Sequence, residues 1–136
     1  MSHENLDALR RSNRAFNEGA LDRALEIWDP EGVYYELPGT PLDTAEVLEG
    51  LDQIRASLLT YLEEFPDFHS EIDELIDADD KVVCVQRWTG TGRESGLSVE
   101  LDEVIVFKFD NGKIIEGRVH RDRASALAAA ELELDT

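Results

Sequence analysis

The sequence predicts an α+β fold, with helices in the first half of the chain and an antiparallel sheet in the second. Apolar residues recur at helical spacing up to Phe65, whereas β-prone segments separated by short turns follow Pro66. The Asp110-Asn111-Gly112 sequence between two such segments is a strong hairpin signal. Helices followed by a meander are typical of α+β proteins and not of a parallel, doubly wound sheet.

Three helices are predicted before the sheet. The first should end near Gly19, because glycine commonly terminates helices, and its apolar face comprises Leu6, Leu9 and Phe16. The second is short and should end at residues 29–32; its apolar residues at helical spacing are Leu21, Ala24, Leu25 and Trp28. The third is expected over residues 51–65.

The predicted strands are bounded by turns rich in glycine and aspartate. A short strand covers residues 33–37, and residues 38–50 form a loop long enough to suggest a function. The meander covers residues 68–76, 81–89, 97–109 and 113–121, and a helical tail covers residues 124–134. In the first meander strand, one face is expected to carry Phe68, Ser70, Ile72, Glu74 and Ile76.

Length and charge limit the class of protein. The 136 residues are the size of one domain, with an expected core over residues 4–123 and a tail over residues 124–136. Thirteen Lys and Arg residues face 31 Asp and Glu residues, and the net charge of −18 disfavours nucleic acid and anionic membranes as partners. This acidity fits a salt-loving source organism, and an acidic mesophilic protein equally well.

A cytoplasmic location is expected. The first five residues lack the basic and apolar regions of a secretion signal, and no apolar run is long enough to span a membrane. The single Cys84 cannot form an internal disulfide, and we expect it to be an inert core residue.

Five segments, spread over nearly the whole chain, carry a resemblance to known proteins. They are Phe16-Asn17-Glu18-Gly19-Ala20-Leu21, Gly50-x-x-x-Ile54-Arg55, Asp79-Asp80-Lys81-Val82-Val83, Asn111-Gly112-Lys113-Ile114 and Arg118-x-His120-x-Asp122-Arg123-x-x-Ala126-Leu127. In order and spacing they resemble the SnoaL-like and ketosteroid isomerase-like domains of the nuclear transport factor 2-like superfamily. The resemblance implies a cone-shaped, curved antiparallel sheet packed against three N-terminal helices.

Glu36 is the first acid/base candidate, since the resemblance places it where ketosteroid isomerases carry a catalytic carboxylate. An apolar pocket can raise the pKa of a carboxyl enough for proton transfer at neutral pH, and Tyr34 shares the Glu36 face of the strand. The alternative is a solvated carboxylate at a strand end. The resemblance places the isomerase phenol near Ser12 and its protonated acid near Ile105, and neither residue can substitute for them well, so steroid isomerisation is disfavoured.

Asp122 is the second acid/base candidate, because the resemblance places it where SnoaL-like cyclases carry an acid/base aspartate. It could equally cap the helical tail. Arg118, His120 and Asp122 alternate and should share a strand face, where His120 and Asp122 form either a charge-relay pair or a surface ion pair. Relatives often carry Tyr or Phe at the His120 position, so His120 is also a candidate for the pocket wall.

Arg87 and Glu103 are candidates for an internal ion pair. Arg87 alternates with valines in a β-prone segment, and Glu103 alternates with apolar residues, namely Leu101, Ile105 and Phe107. Such a pair would be a structural tie or the polar anchor of a pocket. The alternative is an Arg87 that faces outward on a half-exposed sheet.

No metal and no cofactor are expected. His3, His69 and His120 are scattered, without the spacing of a known metal site. Gly90-Thr91-Gly92 lacks the third glycine and the following helix of a dinucleotide-binding motif.

The leading hypothesis is a pocket protein for a small, largely apolar organic molecule. If it is an enzyme, the expected chemistry is cofactor-free isomerisation, cyclisation or dehydration, with Glu36 and Asp122 as acid/base residues. The expected wall comprises Tyr34, Arg87, Trp88, Glu103, Ile105, Phe107, Arg118 and His120. The alternative is a non-catalytic ligand-binding or dimeric interaction module of the same fold. A homodimer through the open sheet face is expected in either case, since that face lacks clean polar alternation.

Overall fold

The computed structural model describes residues 2–37 and 46–131. Its elements in chain order are α1 (Ser2–Asn17), α2 (Leu21–Ala24), a 3-10 turn (Leu25–Ile27), β1 (Trp28–Tyr35), β2 (Val47–Glu49), α3 (Leu51–Glu64), β3 (His69–Ala78), β4 (Lys81–Thr91), β5 (Ser98–Asp110), β6 (Lys113–His120) and α4 (Arg123–Glu131). No helix in the described ranges is both long and apolar enough to cross a membrane.

The six strands form one curved, open sheet in the order β2-β1-β6-β5-β4-β3. Strands β3 to β6 are an antiparallel meander, as predicted, while β1 pairs in parallel with β6 and antiparallel with β2. The predicted hairpin between β5 and β6 is present, and both Asn111 and Gly112 adopt positive φ angles there. The α+β prediction is confirmed.

The sheet has two differently covered faces, which we name the inner and the outer face. On the inner face, the N-terminal helices and the sheet share one apolar core that includes Leu9, Ile54, Val82, Ile105 and Phe107. On the outer face, α4 packs against the sheet, and its cluster includes Ala126, Ala130, Val83, Val104 and Val106. Strand alternation assigns neighbouring residues to the two cores.

The segment around Trp28 corrects the prediction of a second helix running through that residue. The helix gives way at Leu25, and Trp28 already pairs with Ile114 of β6. The register with β6 then shifts before Val33, so residues 29–32 form an irregular stretch within β1. A Cβ on Gly32 would lie 2.7 Å from the Trp28 side chain, so glycine is required where the chain folds back over the indole.

The predicted loop over residues 38–50 lies only partly within the residues that the structure describes. Residues 38–45 lie outside the described residues, as does the predicted helical tail beyond residue 131. Within the described part, Val47–Glu49 is strand β2 and not loop, because it pairs with β1 through the register Tyr34↔Leu48.

Strand β3 corrects the predicted alternation. Ile72 pairs with Gln86, but Glu74 pairs with Val85, so Asp73 is an extra residue that forms a bulge. After the bulge the side-chain directions are reversed: Leu75 packs with the inner core, whereas Ile76 packs with the outer core. Ile72 and Ile76 are therefore on opposite faces.

Candidate functional site

A cavity of about 200 Å³ lies between the inner face of the sheet and the helices α1 and α3. Its wall is mainly apolar and aromatic, and includes Leu9, Phe16, Trp28, Leu58, Trp88 and Phe107. Among the described residues, four acidic or phenolic side chains also line it, namely Tyr34, Glu36, Tyr61 and Glu103. A cavity with few polar groups in an apolar wall is the usual form of a small-molecule site.

The end of β1 brings Tyr34 and Glu36 to this cavity. The Tyr34 ring packs edge-to-face on Trp28, with 6.0 Å between the ring centroids. Both rings lie against Gly117 of β6, where a Cβ would stand 2.8 Å from Tyr34 Cδ1 and 3.1 Å from Trp28 Cη2. Any larger residue at position 117 would displace the two rings, so Gly117 shapes this end of the wall.

Burial keeps the Tyr34 phenol protonated. Desolvation, followed by the negative charges of Glu103 and Glu36, raises the pKa of Tyr34 well above its ordinary value. A phenol that stays neutral presents an O–H donor to whatever occupies the cavity.

Glu103 has an unusual environment for a carboxyl group. It is partly buried on the inner face of β5, opposite Gln86 of β4, whose Nε2 donates to Glu103 Oε1 at 3.5 Å. Loss of water raises the pKa of Glu103 from 4.5 to about 7; the Gln86 hydrogen bond opposes this rise and the negative charge of Glu36 adds to it. Near neutral pH the cavity therefore contains a carboxyl group that exists in both protonation states.

Two other polar side chains of the wall are engaged in structural hydrogen bonds. Ser12 Oγ donates to the Ala24 carbonyl at 2.7 Å, and Asn13 Nδ2 donates to the Ser70 carbonyl at 3.1 Å. Burial raises the pKa of the Cys84 thiol to about 12, so this side chain is not a nucleophile near neutral pH.

Five of the predicted wall residues reach the cavity, namely Tyr34, Trp88, Glu103, Ile105 and Phe107, and Glu36 lies beside them. The alternation of Glu103 with apolar residues was sufficient to predict its direction. The sequence did not predict which groups surround the Glu103 carboxyl, because Gln86 lies on β4 and Glu36 follows β1, both far from Glu103 in the chain.

Asp122 lies outside the cavity, which corrects its prediction as a pocket acid. It directly precedes α4, and its Oδ1 accepts the main-chain N–H of Ser125 at 2.7 Å. This hydrogen bond lowers the pKa of the carboxyl. Asp122 is therefore the cap of α4, which was the alternative to a pocket acid in the sequence analysis.

Arg118 and His120 do share a strand face, but it is the outer one. Val119 between them packs in the inner core. The Arg118 guanidinium lies 3.9 Å from the centroid of the Tyr35 ring. His120 Nε2 is buried and has no hydrogen-bond partner among residues 2–37 and 46–131, and burial lowers the pKa of the imidazole.

The predicted Arg87–Glu103 pair is wrong. Arg87 is directly opposite Asp102, and the distance from Arg87 Nε to Asp102 Oδ1 is 2.7 Å on the outer face. Glu103 is the next residue of β5, so its side chain points to the other face of the sheet. Arg87 therefore does not line the cavity.

Among residues 2–37 and 46–131, no group of three or more His, Cys, Asp or Glu side chains is arranged to hold a metal ion.

Comparison with solved structures identifies several similar proteins. Bal32a from a soil-derived mobile gene cassette is 26% identical, with a TM-score of 0.77 over 88% of this chain and 89% of that one. A protein from Jannaschia sp. CCS1, described as a SnoaL-like polyketide cyclase, is 22% identical, with a TM-score of 0.74 over 95% of this chain and 92% of that one. TerC, co-crystallised with polyporic acid, is 18% identical, with a TM-score of 0.76 over 94% and 98%.

No curated protein matches the sequence. The sequence model of the SnoaL-like domain matches residues 9–117, which include the second half of α1, the cavity strands and most of β6. This match confirms the resemblance inferred from the five segments. The chain belongs to the SnoaL-like domain family.

Proposed function

We propose that the protein binds a small, largely apolar organic molecule in the inner cavity. It would transfer a proton between a cavity carboxyl group and this molecule, without a cofactor. The reaction would be an isomerisation, a cyclisation or a dehydration. One observation carries the proposal: Glu103, with a pKa of about 7, lines an apolar cavity together with the protonated phenol of Tyr34. A carboxyl group of this pKa can both accept and donate a proton near neutral pH.

The two carboxyl groups would have different roles. Glu36 and Glu103 share the cavity, and their mutual repulsion favours a state in which only one is ionised. Glu103 is the proton-transfer group in this proposal, and Glu36 sets its charge state. Tyr34 would donate a hydrogen bond to an oxygen on which negative charge develops.

The relatives support a site for organic molecules in this fold. The Jannaschia protein is described as a SnoaL-like polyketide cyclase, and TerC was crystallised with polyporic acid. Since both are distant in sequence, they support the class of ligand and not its identity.

The test is a titration of carboxyl carbons by NMR. We expect Glu103 to titrate near pH 7 and its signal to disappear in Glu103→Gln. In Glu36→Gln, the midpoint of Glu103 should move down, because a repelling charge is removed. If Glu103 titrates at the ordinary value of a glutamate, the proton-transfer proposal is refuted. Mass spectrometry of the native protein would identify a co-purified ligand.

A non-catalytic binding module is the second candidate. It is favoured by Ser12 and Ile105, which line the cavity and lie near the positions to which the family resemblance assigns the isomerase phenol and acid. Ser12 donates its hydroxyl proton to the Ala24 carbonyl, so it cannot also donate it to a ligand. This candidate would be favoured if the identified ligand binds and is recovered chemically unchanged, and if Glu103 titrates at the ordinary pKa of a glutamate.

We also propose a cytoplasmic homodimer formed through the outer face. The part of this face next to β6 carries Tyr35 and Arg118, together with His120, whose Nε2 has no partner within the described residues. Light scattering at high salt tests this proposal, and a monomer at micromolar concentration would contradict it.

A further inference from the structure

Two groups of interlocked aromatic rings bound the inner cavity. We name them the Trp88 group, which comprises Tyr61, Phe65, Phe68 and Trp88, and the Trp28 group, which comprises Trp28, Tyr34 and Phe107. In the first group, the rings of Trp88 and Phe68 are stacked, with 4.7 Å between their centroids. In the second, Trp28 packs edge-to-face on Tyr34 and Phe107, with centroid distances of 6.0 and 6.2 Å. Each ring is held by a neighbouring ring, which fixes both parts of the wall.

The strand register sets the separation of the two groups. Trp88 lies opposite Leu101, and Val82 lies opposite Phe107, so the groups are six residues apart along β4 and β5. This separation corresponds to roughly 20 Å between backbone positions, part of which the rings themselves fill. Glu103 lies between the two groups on the inner face of β5. A ligand that reaches Glu103 therefore has to fit between them.

Neither group has room to move outwards. Gly117 of β6 lies directly beneath two rings of the Trp28 group. In the Trp88 group, the Phe65 ring is 5.6 Å from that of Trp88, and a Cβ on Gly90 would stand only 2.9 Å from Phe65 Cβ. Outward displacement of either group would require movement of the sheet backbone, so the cavity cannot expand readily around a larger ligand.

The volume of the cavity, about 200 Å³, limits the size of the ligand. A cavity of about 150 Å³ in another protein holds benzene, which corresponds to about 25 Å³ for each non-hydrogen atom. Sites for drug-sized ligands begin at about 300 Å³. The cavity thus has room for about eight to ten non-hydrogen atoms, which is one six-membered ring with a short substituent.

The Tyr34 hydroxyl adds a polar requirement that does not depend on the size of the cavity. It is desolvated and lines the cavity, yet no group in the described part of the chain forms a hydrogen bond with it. A buried hydroxyl without a partner is unfavourable, and buried polar groups in proteins are usually satisfied. A protonated phenol can donate to a carbonyl oxygen, so the unused donor indicates a ligand that carries such an acceptor.

We propose that the ligand of the inner cavity is a single-ring carbonyl compound of about ten non-hydrogen atoms, held between the two aromatic groups with its oxygen at the Tyr34 hydroxyl, and that molecules with two or more fused rings are excluded. The proposal rests on the proposed function, because it assumes that the inner cavity is the ligand site. It deepens that function by naming the size and the polar group of the ligand.

The first experiment compares two methyl ketones, acetophenone with one ring and 2-acetylnaphthalene with two fused rings. Trp28 and Trp88 are the two tryptophans of the chain, and both line the cavity, so their indole N–H signals in nitrogen-15 NMR report binding in either aromatic group. Apolar area alone would make the larger ketone bind more tightly. We expect the reverse order, with 2-acetylnaphthalene at least about threefold weaker, because it overfills the cavity.

A cavity variant tests whether size is the cause. Leu58→Ala removes three carbon atoms from a side chain that lines the cavity, and it should strengthen the binding of 2-acetylnaphthalene about tenfold relative to acetophenone. Leu59→Ala is the matched control, since the neighbouring Leu59 is exposed on the same helix, and it should change neither affinity. Ile72→Ala enlarges the same cavity should Leu58→Ala fail to fold.

A second pair of variants tests the hydrogen bond. Tyr34→Phe keeps the ring and removes the hydroxyl, so it should weaken acetophenone by about three- to tenfold. Isopropylbenzene has the shape of acetophenone without the oxygen, and its affinity should not fall in this variant. Tyr35→Phe is the control, because Tyr35 is the next residue of β1 and lies against Arg118 on the outer face. It should bind both molecules like the wild type.

Either of two results would overturn the inference and leave the proposed function in place. One is 2-acetylnaphthalene binding to the wild type within about threefold of acetophenone, or more tightly. The other is a Tyr34→Phe protein that loses less than about threefold in acetophenone affinity, or no more than Tyr35→Phe loses. The proposed function fails separately if Glu103 titrates at the ordinary value of a glutamate. If neither ketone shifts the indole signals, the cavity is not the ligand site, and both fail.

Discussion

Asp102 and Glu103 are neighbours in β5, yet their carboxyl groups have opposite properties. Asp102 faces outward, and its hydrogen bond with Arg87 lowers the pKa of the carboxyl. Glu103 faces the cavity, where loss of water raises the pKa to about 7. The pKa values of these two neighbours are shifted in opposite directions because their side chains face opposite sides of the sheet.

The largest expected effect is on the pH dependence of stability. The pKa of Glu103 is near 4.5 in the unfolded chain and about 7 in the folded protein, so the folded state binds the proton more tightly. Wild-type stability should therefore fall as the pH rises from the lower to the higher value. Glu103→Gln removes this loss, and above about pH 8 it should increase the free energy of unfolding by about 3 kcal/mol, with little effect near pH 4. Urea denaturation at the two pH values measures the difference.

Asp102→Asn is the matched comparison, because its effect should have the opposite sign. The variant loses the hydrogen bond of an ionised carboxylate to Arg87, so it should be slightly less stable than the wild type at neutral pH. The loss should vanish as the pH falls through the lowered pKa of Asp102. Equal pH profiles for the two variants would contradict the contrast between the faces.

A smaller effect is expected at Asp122. Asp122→Ala should lower the melting temperature, because the N–H of Ser125 loses its side-chain acceptor at the start of α4. Asp122→Asn should stay close to the wild type, since asparagine is an equally good cap. Thermal melts followed by circular dichroism test the pair. A reduced turnover of an identified substrate in Asp122→Asn, without a change in stability, would restore Asp122 as an acid/base candidate.

Salt should affect the two regions unequally. From about 0.1 M to about 1 M potassium chloride the Debye length falls from ~10 Å to ~3 Å, so repulsion among exposed carboxylates weakens and the melting temperature should rise. The titration midpoint of Glu103 should change little, because its shift comes mainly from burial. A melting temperature that stays flat or falls would refute the role assigned to self-repulsion in a chain of net charge −18.

The sequence alone determined the order of the three N-terminal helices and the four meander strands, the hairpin at Asn111 and Gly112, and the common direction of Glu103, Ile105 and Phe107. These features depend on local periodicity and on the backbone preferences of single residues, which can be read without knowledge of distant contacts. The resemblance to the SnoaL-like family depended on the same local segments.

Only the tertiary structure decided which residues meet. The bulge at Asp73 reverses the second half of β3, and Trp28 leaves its helical pattern to pair with Ile114 of β6. Arg87 pairs with Asp102 because of the register between β4 and β5. Asp122 caps α4 because β6 ends at His120 and α4 begins at Arg123. Register, bulges and the choice of inner face depend on partners far away in sequence, and burial against those partners sets the pKa of Glu103.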